Sequence, residues 1–124
     1  MAPVDGDATL ALPLTTAVAL RLTAGDAVDL PHPPTRPGGA AQAAFLRLVV
    51  PEPQGVWQIT VAAPAWIDVF VVGNALAPLA FSGVCACPGV RKSLRFRLPA
   101  GGVVLEISHA SRDRLALVIE RVAR

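Results

Sequence analysis

Three features predict an all-β chain, a single-domain antiparallel β-sandwich, jelly-roll-like, of about seven to nine strands. Apolar and polar side chains alternate along most of the apolar runs, the pattern of strands with one face in a core. The runs recur about every 8–12 residues, the spacing of a sandwich. Twelve prolines and ten glycines fall in nearly every gap and leave little room for helix.

Taken in order, Val18, Leu20 and Leu22 alternate with Ala17, Ala19, Arg21 and Thr23. The segment Asp29 to Gly39 follows, with four prolines and two glycines. It cannot join a ladder and is expected to be a long surface loop of partly polyproline character. It marks the border between an N-terminal arm with the first strands, residues 1–24, and a sandwich body, residues 25–124. Phe45-Leu46-Arg47-Leu48-Val49-Val50 is the next strand, ended by the turn Pro51 to Gly55. Then Trp57, Ile59 and Val61 share one face, with Gln58 and Thr60 opposite. The run Trp66 to Val72 is apolar on both faces, as in a strand covered on both sides. Leu94, Phe96 and Leu98 alternate with Ser93, Arg95 and Arg97, and Pro99 to Gly102 forms a tight turn. Val103, Leu105 and Ile107 alternate with Val104, Glu106 and Ser108. Last come Leu115, Leu117 and Ile119, where a helix over 112–124 is the competitor; clean alternation and β-branched Val118, Ile119 and Val122 favour a strand.

The length of 124 residues suits one domain with a sizeable core. With 53% hydrophobic and 16% charged residues the chain is too apolar for disorder. The longest apolar candidate for a membrane span, Ala62 to Phe81, is interrupted by Pro64, Asp68, Gly73, Asn74 and Pro78, so no span is expected. A net charge of +2 is too small to imply nucleic acid. The cluster Arg91, Lys92, Arg95 and Arg97 reads as a solvated strand face rather than an anion patch. Met1 to Asp7 lacks the basic and apolar regions of a signal peptide, which leaves either a cytoplasmic protein or a mature exported domain.

The strand motifs Phe45-Leu46-Arg47-Leu48-Val49, Pro53 to Val61, Trp66-Ile67-Asp68-Val69-Phe70-Val71, Leu98 to Ile107 with its Ala100-Gly101 turn, and Leu115 to Ile119 resemble the bacterial pre-peptidase C-terminal domain family. The resemblance spans about residues 25–122. It implies a β-sandwich, periplasmic or secreted, that serves as a non-catalytic accessory or binding module. Val104 stands where the family carries a tyrosine, and Asp68 stands alone between Ile67 and Val69. A calcium ion wants six to eight oxygen ligands, so the calcium site of some relatives is not carried over and Asp68 reads as a hydrogen-bonded structural acid.

The only two cysteines, Cys85 and Cys87, precede the only lysine, Lys92. Residues i and i+2 of an extended strand point the same way, so the two sulfurs could act together. Three readings stand: inert packed thiols, a strained disulfide, or a soft-metal (Cu or Zn) site completed by His109 or His32. The metal reading makes the alternative function a small periplasmic metal-binding protein. No enzyme is expected. Ser108 and His109 are adjacent and should face opposite sides of a strand, no Gly-x-Ser-x-Gly elbow occurs, and Glu106 and Glu120 are expected on outward faces, paired with Arg95 or Arg97. Trp57 and Trp66, with Arg95 and Arg97, are the candidate ligand-binding residues, against the competing reading of both tryptophans as core anchors. No cofactor is implied, the partner is unknown, and an exposed strand edge makes a homodimer conceivable.

Overall fold

Alternating burial along the strands closes two sheets over one interior. The computed structural model describes residues 3–25, 30–36, 41–82 and 92–122, and the elements and contacts below are those of these residues. They form twelve strands: β1 (Pro3–Val4), β2 (Thr9–Ala11), β3 (Leu14–Arg21), β4 (Thr23–Ala24), β5 (Gln42–Val50), β6 (Gly55–Val61), β7 (Trp66–Val71), β8 (Asn74–Ala75), β9 (Ala80–Ser82), β10 (Lys92–Leu98), β11 (Gly101–Ala110) and β12 (Arg114–Arg121). Seven of them (β3, β5, β6, β7, β10, β11 and β12) have six residues or more and coincide with the apolar runs of the sequence, alternating in all but β7. The 112–124 ambiguity resolves as strand β12.

One sheet has the order β1-β3-β12-β6-β10-β9, the other β2-β5-β11-β7-β8 with β4 also on β5. The chain is therefore the expected all-β sandwich. Its long strands pair antiparallel, but β1 on β3 and β2 on β5 run parallel. The cause is the path of the first residues: β2 lies in the opposite sheet from β1 and β3, so the chain crosses over between them, and crossovers are what parallel neighbours require. Residues 3–24 thus supply strands to both sheets and put Leu12, Leu20 and Leu22 into the interior.

The interior is built from matching inward rows. Trp57, Ile59 and Val61 of β6 and Leu94, Phe96 and Leu98 of β10 meet Leu46 and Leu48 of β5 and Val103, Leu105 and Ile107 of β11, all essentially buried. Each such side chain contributes on the order of 1.5–3 kcal/mol through its removal from water. Aligned packing of two sheets needs this strict alternation, because a one-residue slip would turn a whole row outward.

Strand β7 departs from the half-buried pattern. Ile67, Asp68, Val69 and Phe70 are all buried, inward and outward residues alike. The outward cover is no further layer of secondary structure: it is the proline-rich segment 30–36.

Candidate functional site

Segment 30–36, called the strap below, lies over the outer face of the second sheet. That face carries Trp66, Asp68 and Phe70 on β7 and Val104, Glu106 and Ser108 on β11. The register sets Glu106 opposite Asp68, Ser108 opposite Trp66 and Val104 opposite Phe70. Pro31, Pro33 and Pro34 have no N–H and fix their φ angles, so the strap cannot extend the sheet. His32 and Thr35 keep theirs, and both are aimed at carboxyl oxygens. The His32 N–H donates to Glu106 Oε2 at 2.9 Å, and the Thr35 N–H donates to Asp68 Oδ2 at 3.1 Å. The Thr35 hydroxyl donates to Asp68 Oδ1 and accepts from the Trp66 indole N–H at 2.8 Å, which also reaches Asp68 Oδ1 at 3.2 Å. The His32 ring stacks on Phe70, centroids 4.3 Å apart and planes 26° off parallel. A proline-rich loop is thereby pinned by two backbone amides, one hydroxyl and one aromatic stack.

The two carboxyls are unequal. Asp68 accepts three hydrogen bonds through its two oxygens. Glu106, 1% exposed, accepts one, and its Oε1 is buried without a hydrogen-bond partner. Burial raises the Glu106 pKa to about 7; the His32 N–H acts against this, and the negative charge of Asp68 adds to it. At the rim, two cations flank the half-buried Trp66. The Arg36 guanidinium carbon is 5.9 Å and Lys92 Nζ 5.5 Å from the ring centroid, and Lys92 Nζ donates to the Ala65 carbonyl at 2.8 Å. Burial, and then the charge of Arg36, lower the Lys92 pKa.

The four residues expected to bind a ligand occupy three places. Trp57 is in the core at 1% exposure, with the Arg121 guanidinium 4.5 Å from its ring centroid, so it offers no open face. Trp66 lies on the outer face of the second sheet. Arg95 and Arg97 are exposed on the outer face of the first sheet, where Arg95 Nε donates to Gln58 Oε1 at 3.0 Å. Of the basic cluster, only Lys92 is seen to reach the Trp66 corner; Arg91, Cys85 and Cys87 lie outside the described residues. Glu120 is exposed and faces Gln58 in register. Glu106, expected to pair with Arg95 or Arg97, is instead on the other sheet beneath the strap, because alternation dictates the side of a strand and not what later covers it.

Ser108 and His109 also differ from expectation. His109 has φ +58°, and the β11–β5 register shifts between Ile107 and Ala110. This irregularity breaks the alternation and brings Ser108 Oγ to 3.0 Å from His109 Nδ1. Ser108 is 1% exposed and His109 Nε2 is buried without a partner, so the pair is packed into the sheet. Among the described residues no three His, Cys, Asp or Glu side chains are grouped to hold a metal ion.

Beside the strap is an open depression of about 800 Å³, lined in part by Asp5, Arg21, Pro31, Phe45 and Arg47. Its two arginines are engaged: Arg21 pairs with Asp5 at 3.0 Å, and Arg47 Nη1 donates to the Asp7 backbone carbonyl at 3.2 Å.

No protein-family model matches the chain, and no curated protein or solved structure is significantly similar to it.

Proposed function

We propose that this chain is a non-catalytic β-sandwich module of an exported bacterial protein, resembling the pre-peptidase C-terminal type, that binds a partner without transforming it. One observation carries the reading. The polar side chains of the most elaborate site (Asp68, Glu106 and the Trp66 indole) are engaged by the protein's own strap. Groups held in this way organise a surface; a catalytic acid or base would need reach to a substrate proton. The strand motifs that carry the family resemblance supply the exported context. The surface offered to a partner is the rim, where Arg36 and Lys92 flank Trp66. An aromatic face between two cations suits a carboxylate-bearing ligand with an apolar body.

Trp66 is a natural reporter, since the only other tryptophan is buried in the core. Titration with an oligogalacturonide and with a Glu-rich peptide is expected to quench Trp66 emission for at least one of them. The response should weaken at least tenfold in Lys92→Ala, equivalent to about 1.4 kcal/mol. Silence with both probes would defeat the binding surface. Hydrolysis of ester, peptide or glycoside substrates that disappears in Ser108→Ala would defeat the non-catalytic reading.

A further inference from the structure

We propose that Glu106, facing Asp68 across the strand pair, carries a proton beneath the strap, and that losing this proton to solvent releases the strap from the outer face of the second sheet. Cross-strand partners have Cβ atoms roughly 5 Å apart, and Glu106 and Asp68 are such partners. Four donors converge on the pair: the N–H groups of His32 and Thr35, the Thr35 hydroxyl and the Trp66 indole. Every one comes from the strap or from Trp66, which itself holds the strap through Thr35. The one carboxyl oxygen without a donor is Glu106 Oε1, and it is buried. A proton on Glu106 removes the charge from that buried, undonated oxygen. Without it, two like charges share a water-poor site, and the relief open to them is water, admitted when the strap lifts.

The charged groups around the pair do not supply another remedy. On the strap, His32 is stacked on Phe70 and Arg36 lies over Trp66. On β5, Arg47 is turned to Phe45 and the Asp7 carbonyl. On β10, Lys92 is held by the Ala65 carbonyl, and on β11 His109 is bonded to Ser108. Among the described residues neither carboxyl forms an ion pair.

The sign follows from the raised Glu106 pKa. The docked strap binds the proton more tightly than the open one, so docking is favoured at low pH and lost as pH rises from about 4.5 toward about 7. For one proton, the docking constant falls by up to about tenfold per pH unit across that window.

Two measurements on the wild-type chain test this: carbon-detected NMR titration of the Glu106 carboxyl, and hydrogen exchange at the His32 and Thr35 amides corrected for intrinsic base catalysis. The carboxyl is expected to titrate near neutrality, and the two amides to lose protection together with it. Glu106→Gln, which places an N–H donor where the proton sat, should hold the strap docked across the range. Asp68→Asn should move the midpoint to lower pH. His32→Phe, which keeps the stack and removes the imidazole, should leave the transition in place. A Glu106 carboxyl that titrates in the ordinary carboxylate range overturns the proposal, and this readout does not depend on any variant folding. An unchanged midpoint in Asp68→Asn overturns the charge coupling between the two carboxyls. A transition that survives Glu106→Gln and vanishes in His32→Phe assigns the effect to histidine instead.

Discussion

Thr35 is one of the smaller side chains at the site and the best connected. Its hydroxyl links the Trp66 indole to Asp68, and its amide holds the second oxygen of the same carboxyl. Replacement by the near-isosteric valine removes the hydroxyl and leaves Asp68 Oδ1 with only the longer indole contact of 3.2 Å. Thr35→Val is expected to cost about 1–3 kcal/mol, the penalty of a part-buried polar network left incomplete. Urea denaturation followed through tryptophan emission measures it. At this scale the sequence was uneven as a guide. Asp68 could be read as a hydrogen-bonded structural acid, because a lone acid inside an apolar strand must find donors. Glu106 could not be read: its place on a strand says which face it takes, while its cover arrives from a loop some seventy positions away. His109 was opaque for a different reason. A histidine at φ +58° costs little more than a local register shift, and no residue type announces it.

Strands were the most legible elements, because period-two alternation is both the sequence signal and the cause of burial. Strand β5 shows this in adjacent residues: Leu48 is 1% exposed and Val49 47%. Leu48→Ala is expected to destabilise the protein by about 2–5 kcal/mol, as cavity formation in a close-packed core does, and Val49→Ala by less than about 0.5 kcal/mol. Parallel chemical denaturation of the two variants checks the contrast, and similar losses would mean the two faces of β5 are not inside and outside. The strap was half legible. Its prolines excluded a ladder, and the two-sided apolar character of β7 demanded a cover, yet nothing in either segment says that one covers the other. The shortest strands, β1, β2, β4, β8 and β9, carry two or three residues each and too few positions for any periodicity to register. Their pairing is decided by the long strands beside them.

For the molecule as a whole, the sandwich follows from the rows of inward side chains, which gather in one interior. The two outer faces differ in kind. Among the described residues one is open, with small side chains such as Ala19, Ala116 and Val118 beside the Thr60 and Ser93 hydroxyls, 3.1 Å apart. The other is closed by the strap over buried carboxyls. The ligand-binding residues inferred from sequence fall on both faces and in the core, because alternation cannot say which sheet a strand will join. The path of the first eleven residues has one more effect. Strands β1 and β2 sit against the flanks of β3 and β5, so one short stretch of chain hems both layers at once. A variant beginning after Ala11 would uncover backbone amides and carbonyls at Ala19–Leu20 of β3 and Arg47–Val49 of β5, the kind of border along which separate copies zip together. Such a variant is expected to retain β-type circular dichroism and to elute as dimers and larger assemblies in size-exclusion chromatography. A purely monomeric profile would show that this selvedge is ornamental.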